Sequence, residues 1–181
     1  RAGWKLIKLY FMIGLPGETQ DDLDRIAGII YQVSDIKRKV DGVPGNVNVT
    51  ISSFVPKPHT PFQWVAMNTV QELREKQVCL KNKIRGKRFH VKFHAIDKNV
   101  IEAVFSRGDR RLSKAVHAAW QQGARFDDWD EYFNYGMWLA AFRSAGIDHE
   151  PFMKAYDVED RLPWDIVDTG VNAESLKNEY R

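Results

Sequence analysis

The arrangement of hydrophobic and polar positions changes character several times along the chain. Lys5–Gly14 (KLIKLYFMIG) is apolar on both faces, the mark of a strand covered on both sides in a parallel sheet. Leu23, Ile26, Ile30 and Val33 then recur at spacings of three and four, which predicts one amphipathic helix running to about Ile36. Thr19 can cap that helix, with Asp22 as the acidic partner of a capping box. Val47–Phe54 (VNVTISSF) alternates cleanly, with Val47, Val49 and Ile51 on one face and Asn48, Thr50 and Ser52 on the other. Strand, helix and strand over this span make a βαβ unit with two parallel strands. In an open sheet the polar face of the second strand would simply face water; in a barrel it would line a ligand cavity.

Beyond this unit the pattern turns mainly helical. Val55–Trp64 (VPKPHTPFQW) holds three prolines and reads as an ordered loop. Val70–Ile84 reads as a helix, and Phe89–Ile96 alternates as a strand. Helices are expected over Asn99–Phe105, Arg110–Gln122 and Trp129–Ser144, then a mixed tail closing in a helical NAESLKNEY. The aromatic set Trp120, Phe126, Trp129, Phe133, Trp138 and Phe142 is expected to pack as core.

Charge sharpens this division. The chain of 181 residues carries a net charge of +3. Residues 1–65 hold 8 basic and 6 acidic side chains, residues 66–125 hold 14 and 5, and residues 126–181 hold 5 and 13. The basic middle could face nucleic acid, or neutralise the acidic tail within the fold. The single cysteine, Cys79, excludes an intrachain disulfide and a multi-cysteine metal or iron–sulfur site, and it reads as a small buried hydrophobe in a helix. No apolar run approaches membrane-spanning length and no signal segment opens the chain, so a soluble, cytoplasmic protein is expected. The start at Arg1, with a strand almost at once, suggests a piece of a longer polypeptide.

Three stretches invite chemistry. GLPGE at the βα junction lacks both G-x-x-x-x-G-K-[ST] and G-x-G-x-x-G, which disfavours a triphosphate loop or a dinucleotide turn. It remains either a packing turn or a turn whose backbone edges an adenine or ribose, with Glu18 bracing the loop or touching ligand. His90 and His94 stand four apart on a strand, ~13 Å from each other, too far to share a metal ion. In SRGDRRL, Asp109 can cap the next helix, while Arg107, Arg110 and Arg111 could grip phosphate or carboxylate, or pair with the acidic tail.

Taken in order, several stretches resemble the radical S-adenosylmethionine (SAM) enzymes. KLYFMIGLPGET resembles their late-barrel strand and turn, and ISSFVPKPHTPFQW resembles the next strand and its exit loop. SRGDRRL, ARFDDWDEYF and LPWDIVDTG resemble the region downstream of the barrel in a subgroup of iron–sulfur oxidoreductases that carry a cobalamin-binding-type domain upstream. The resemblance implies an α/β fold: residues 1–65 as the C-terminal portion of a partial (βα)6 radical SAM barrel, and residues 66–181 as a mainly helical extension. It implies that Gly14, Leu15, Pro16, Gly17 and Glu18 border the adenosyl part of SAM, and that Ser52, Ser53, Phe54 and Val55 end the last barrel strand beside adenine. For Arg107, Asp109, Arg110 and Arg111 it assigns no role, and contact with substrate is a conjecture.

The family's three cluster-binding cysteines, spaced C-x-x-x-C-x-x-C, are absent here. The resemblance therefore implies that the [4Fe–4S] cluster is held elsewhere in the same polypeptide, with cobalamin as a further candidate cofactor. The complete enzyme would cleave SAM reductively and abstract hydrogen from an unknown substrate, while this chain alone would be inactive. Two other readings stand beside it: an RNA-recognition module built on residues 66–125, and a non-catalytic α/β interaction domain. An unpaired edge on the first strand would invite self-association.

Overall fold

A computed structural model describes residues 3–180. Arg1, on which the reading of a longer polypeptide turned, lies outside the described residues. The chain is α/β and forms two compact units that interleave along the sequence. The first runs to Phe54 and resumes over Asn68–Ile96; the second holds Val55–Met67 and continues from Asp97.

The first unit is a small open sheet of three parallel strands in the order β1 (Leu6–Ile13), β2 (Asn46–Ser53) and β3 (Phe89–Phe93). Helices α1 (Gln20–Asp41) and α2 (Val70–Lys83) connect them. The expected βαβ unit is thus present, and the alternating segment after α2 extends the same sheet. Register follows the alternation: Ile7, Val47 and Phe89 stand in one row, and Leu9, Val49 and Val91 in the next. Except for the exposed Ile7 at the start of β1, these rows face Leu23, Ala27 and Ile30 of α1 and Leu80 of α2, forming one core. Ile13, Ile30 and Val47 are wholly inaccessible, and each such side chain contributes ~1.5–3 kcal/mol through burial.

The opposite face carries no helix of this unit. Strand β1 was expected to be covered on both sides, yet Tyr10 is 73% exposed and Met12 45%. Its apolar composition misled because Leu9, Phe11 and Ile13 alone point to the core, while Lys8, Tyr10 and Met12 occupy the other pleat.

Local chemistry fixes the helix ends. Asp22 accepts hydrogen bonds from the Thr19 N–H at 2.8 Å and its hydroxyl at 2.7 Å, as the capping pattern predicted. Glu72 does the same for the Thr69 N–H at 2.7 Å. The Tyr31 hydroxyl accepts the Arg85 N–H at 2.9 Å and lies 3.0 Å from the Lys83 carbonyl, tying α1 to the exit of α2. Cys79 is half-buried beside this core, with Gln20 Nε2 3.2 Å from its sulfur.

The second unit is helical: α3 (Ile96–Arg107), α4 (Leu112–Gln121), α5 (Tyr135–Ser144), a short 3₁₀ turn at Glu150–Met153, and α6 (Ala173–Tyr180). Its main core joins Val104, Leu112, Ala115, Ala119, Trp138 and Phe142. A smaller cluster gathers Trp64, Leu162, Trp164 and Leu176. The helix expected from Trp129 begins only at Tyr135, where the Asn134 side chain accepts the Met137 N–H at 3.1 Å. Residues 126–134 are turns, so the aromatic set divides. Trp138 and Phe142 are core, whereas Trp120, Phe126 and Trp129 are 53%, 73% and 58% exposed. Among the described residues, no helix is long and apolar enough to cross a membrane.

Candidate functional site

The GLPGE turn sits at the carboxyl end of β1. Glu18 N–H donates to the Leu15 carbonyl at 3.1 Å, closing a four-residue turn with Pro16 second and Gly17 third. Gly17 has φ 75°, the left-handed value that a type II turn demands at this position. Gly14, at φ 87°, is constrained twice. A Cβ there would stand 3.0 Å from Leu73 Cδ2 and 3.1 Å from Asn68 Oδ1.

Glu18 braces the turn from within. One carboxylate oxygen accepts the Gly14 N–H at 2.9 Å and the Lys76 ammonium at 2.6 Å. Its side chain is 5% exposed and that of Lys76 20%, so the pair is largely shielded from water and salt. Of the two roles open to Glu18 in the sequence, bracing is the one its neighbours occupy. Lys76, 58 residues away, was not singled out in the sequence; only the packing of α2 on α1 brings it here.

The end of β2 lies alongside. Ile13 pairs with Ser53 in register, and the Phe54 N–H donates to the Ile13 carbonyl at 2.8 Å. Ser52 Oγ donates to the Phe11 carbonyl at 3.3 Å. The structure therefore brings Gly14, Leu15, Pro16, Gly17 and Glu18 together with Ser52, Ser53 and Phe54 at one edge of the sheet. Val55 is buried and opens the second unit. Beside this turn two buried oxygens, Ser53 Oγ and Asn68 Oδ1, have no hydrogen-bond partner. Buried polar atoms are ordinarily paired, so these two mark the carboxyl end of the sheet as able to accept a polar ligand group.

The arginine-rich stretch belongs to the second unit and does not form one cluster. Arg107 is fully buried at the end of α3. Its Nη2 donates to the Gln63 carbonyl at 3.2 Å, and its guanidinium lies 4.6 Å from the centre of the Tyr156 ring. Its Nε and Nη1 have no partner. Burial pushes the Arg107 pKa down and the Tyr156 pKa up. Arg111 instead forks onto Asp109 at 2.7–3.0 Å in the open, which holds the Asp109 carboxyl below its ordinary range. Asp109 also accepts the Arg111 N–H at 2.9 Å, so it shapes the turn before α4 rather than capping the helix. Arg110 is exposed.

Gln63 emerges as the organiser of the proline loop. Its side-chain oxygen accepts the His59 N–H at 3.0 Å and the Trp164 indole N–H at 2.7 Å. Nothing in the loop sequence signals it, because its partners lie up to 101 residues away. Among the described residues, no group of three or more His, Cys, Asp or Glu could hold a metal ion.

The first unit is thus a small open parallel sheet with a braced glycine–proline turn at the carboxyl end of β1. The chain is 28% identical over 114 residues to the uncharacterized protein MJ0966 of Methanocaldococcus jannaschii. That match covers 63% of this chain and 24% of the archaeal protein, so the matched region spans about a quarter of that protein. No family model matches the chain, and no solved structure matches it.

Proposed function

We propose that this chain is part of a radical SAM enzyme, in which the three-stranded sheet forms one wall of a partial barrel and its carboxyl edge holds the adenosyl part of SAM. The observation that carries the reading is the Glu18-braced turn beside the end of β2, where the resemblance puts the SAM-binding segments. Ser53 Oγ and Asn68 Oδ1 fit the role, since each can accept a hydrogen bond from an amino or hydroxyl group. Gly14 and Gly17 let the backbone take the shape of the turn, and Glu18 with Lys76 keeps it rigid. The chain does not fit the iron–sulfur cluster: Cys79 is alone and lies along α2. Cluster ligands would come from elsewhere in a longer polypeptide, and SAM with its cluster would supply the radical chemistry.

The RNA reading draws on the basic segment, and several of its cations are engaged inside the fold. Lys76 pairs with Glu18, Lys83 with Asp24, Lys98 with Asp130 and Arg111 with Asp109. Arg107 is buried. No observation therefore favours it over SAM binding.

The test uses the complete polypeptide, purified without oxygen and reconstituted with iron and sulfide. A brown protein that cleaves SAM under a reductant is expected, and SAM affinity should fall in Glu18→Gln. A colourless protein without cleavage ends the reading. Cleavage with SAM affinity unchanged in Glu18→Gln would leave GLPGE as a packing turn.

A further inference from the structure

The uncovered face of the sheet is a built polar surface, and its chemistry points one way. Register puts Lys8, Asn48 and His90 in one row across the three strands, and Tyr10, Thr50 and Lys92 in the next. These six residues, with the backbone of Val49 and Val91 between the rows, line an open cavity of about 330 Å³, within the range of small-molecule sites. No carboxylate stands on this face over the paired rows. Lys8 and Lys92 have no ion pair among the described residues, unlike Lys76 and Lys83 on the helical side. The side chains of Asn48 and Thr50 are half-buried and make no hydrogen bond among the described residues.

Geometry allows the cations to converge. Strands lie ~4.8 Å apart and rise ~3.3 Å per residue, so the Cα atoms of Lys8 and Lys92 are separated by ~12 Å. Two lysine side chains reaching inward from that distance can contact one oxyanion between them, above Asn48 and Thr50. Asn48 and Thr50 supply neutral donors at the floor, and the exposed ring of Tyr10 offers an apolar wall.

We infer that this face binds a small molecule bearing a phosphate or carboxylate group, gripped by Lys8 and Lys92 over Asn48 and Thr50. This deepens the proposed function by giving the substrate class of the barrel hollow. It also sets the substrate site on the strands themselves, apart from the turn assigned to SAM.

The experiment titrates the chain with inorganic phosphate and, separately, with succinate at constant ionic strength, following backbone amide shifts by NMR. Sodium chloride serves as the blank. Saturable shifts centred on residues 48–50 and 90–92 are expected with at least one of the two anions, and the tighter one identifies the oxyanion. Lys8→Gln with Lys92→Gln should weaken binding at least tenfold, Lys92→Arg should retain it, and Lys39→Gln on α1 should leave it unchanged. Shifts matching the chloride blank, or equal weakening by Lys39→Gln, overturn the inference. So does a ten-nucleotide RNA that binds this face while neither small anion saturates. SAM plays no part in these titrations, so loss of the oxyanion site and loss of SAM binding in the complete polypeptide are separate results.

Discussion

Gly14 and Gly17 share a backbone conformation and differ in surroundings, which separates two costs that usually arrive together. Both have φ in the left-handed region, at 87° and 75°. An alanine in that region costs ~1–2 kcal/mol from the clash of Cβ with the backbone. At Gly17 nothing lies within 4 Å of a Cβ, so Gly17→Ala should lose about that much and no more. At Gly14 the added methyl would meet Leu73 Cδ2 at 3.0 Å and Asn68 Oδ1 at 3.1 Å. Leu73 is itself fully buried in α2 and cannot swing away. Overpacking of this kind adds ~1–3 kcal/mol, which brings Gly14→Ala to ~2–5 kcal/mol in total. Urea unfolding followed by far-ultraviolet circular dichroism measures both variants against the parent. Equal losses, or a smaller loss at Gly14, would refute the claim that α2 presses on the end of β1.

Other outcomes follow from the same contacts. Glu18→Gln and Lys76→Met should each destabilise, and their double-mutant cycle should show a coupling of ~1–2 kcal/mol, whereas simple additivity would mean the pair is solvated. The carboxyls of Asp22 and Glu72 are held below their ordinary range, first by the N–H groups of Thr19 and Thr69. Their stabilisation is therefore full above the ordinary carboxylate range and lost as pH falls through the lowered folded values. Asp22→Asn with Glu72→Gln should lower the melting midpoint at neutral pH and shrink the gap to the parent near pH ~2.5; a constant gap contradicts this. Arg107→Met should leave stability within ~1 kcal/mol of the parent or raise it, while Arg107→Ala should cost at least ~2 kcal/mol through the cavity it leaves; a severe loss in the methionine variant would reveal an unseen counter-charge. Among the described residues strand β1 pairs only with β2, so sedimentation velocity should show concentration-dependent association, and a monodisperse monomer would count against an adhesive edge.

Local patterns were legible and distant partners were not. Strand β2 and helix α1 could be read from alternation and from the three-four spacing, because both are set by neighbours in sequence. The capping box at Thr19 was legible for the same reason. Strand β3 showed its alternation, yet its place beside β2 depends on a pairing 42 residues away at Val47 and Phe89. Hydrophobic content on β1 suggested two covered faces, and only the register reveals which pleat meets the helices. At the candidate site, the turn and Glu18 were visible, whereas Lys76 and Asn68 required the fold. Lys8, His90 and Lys92 could have been found by carrying the polar row of Asn48 and Thr50 across to the other strands. For Arg107 the sequence offers an anion grip or a pair with the acidic tail, and gives no sign that this helix end is buried.

The path of the chain through its two units has a practical consequence. The backbone crosses from one to the other after Phe54, returns after Met67 and leaves again after Ile96. A cut at Ile96 would yield a peptide that still carries Gln63 and Trp64 but has lost Arg107, Trp164 and Tyr180, the groups they rest on. Such a peptide would expose a sticky thirteen-residue excursion, so dissecting this protein calls for excising that excursion and rejoining the ends, not for a single truncation.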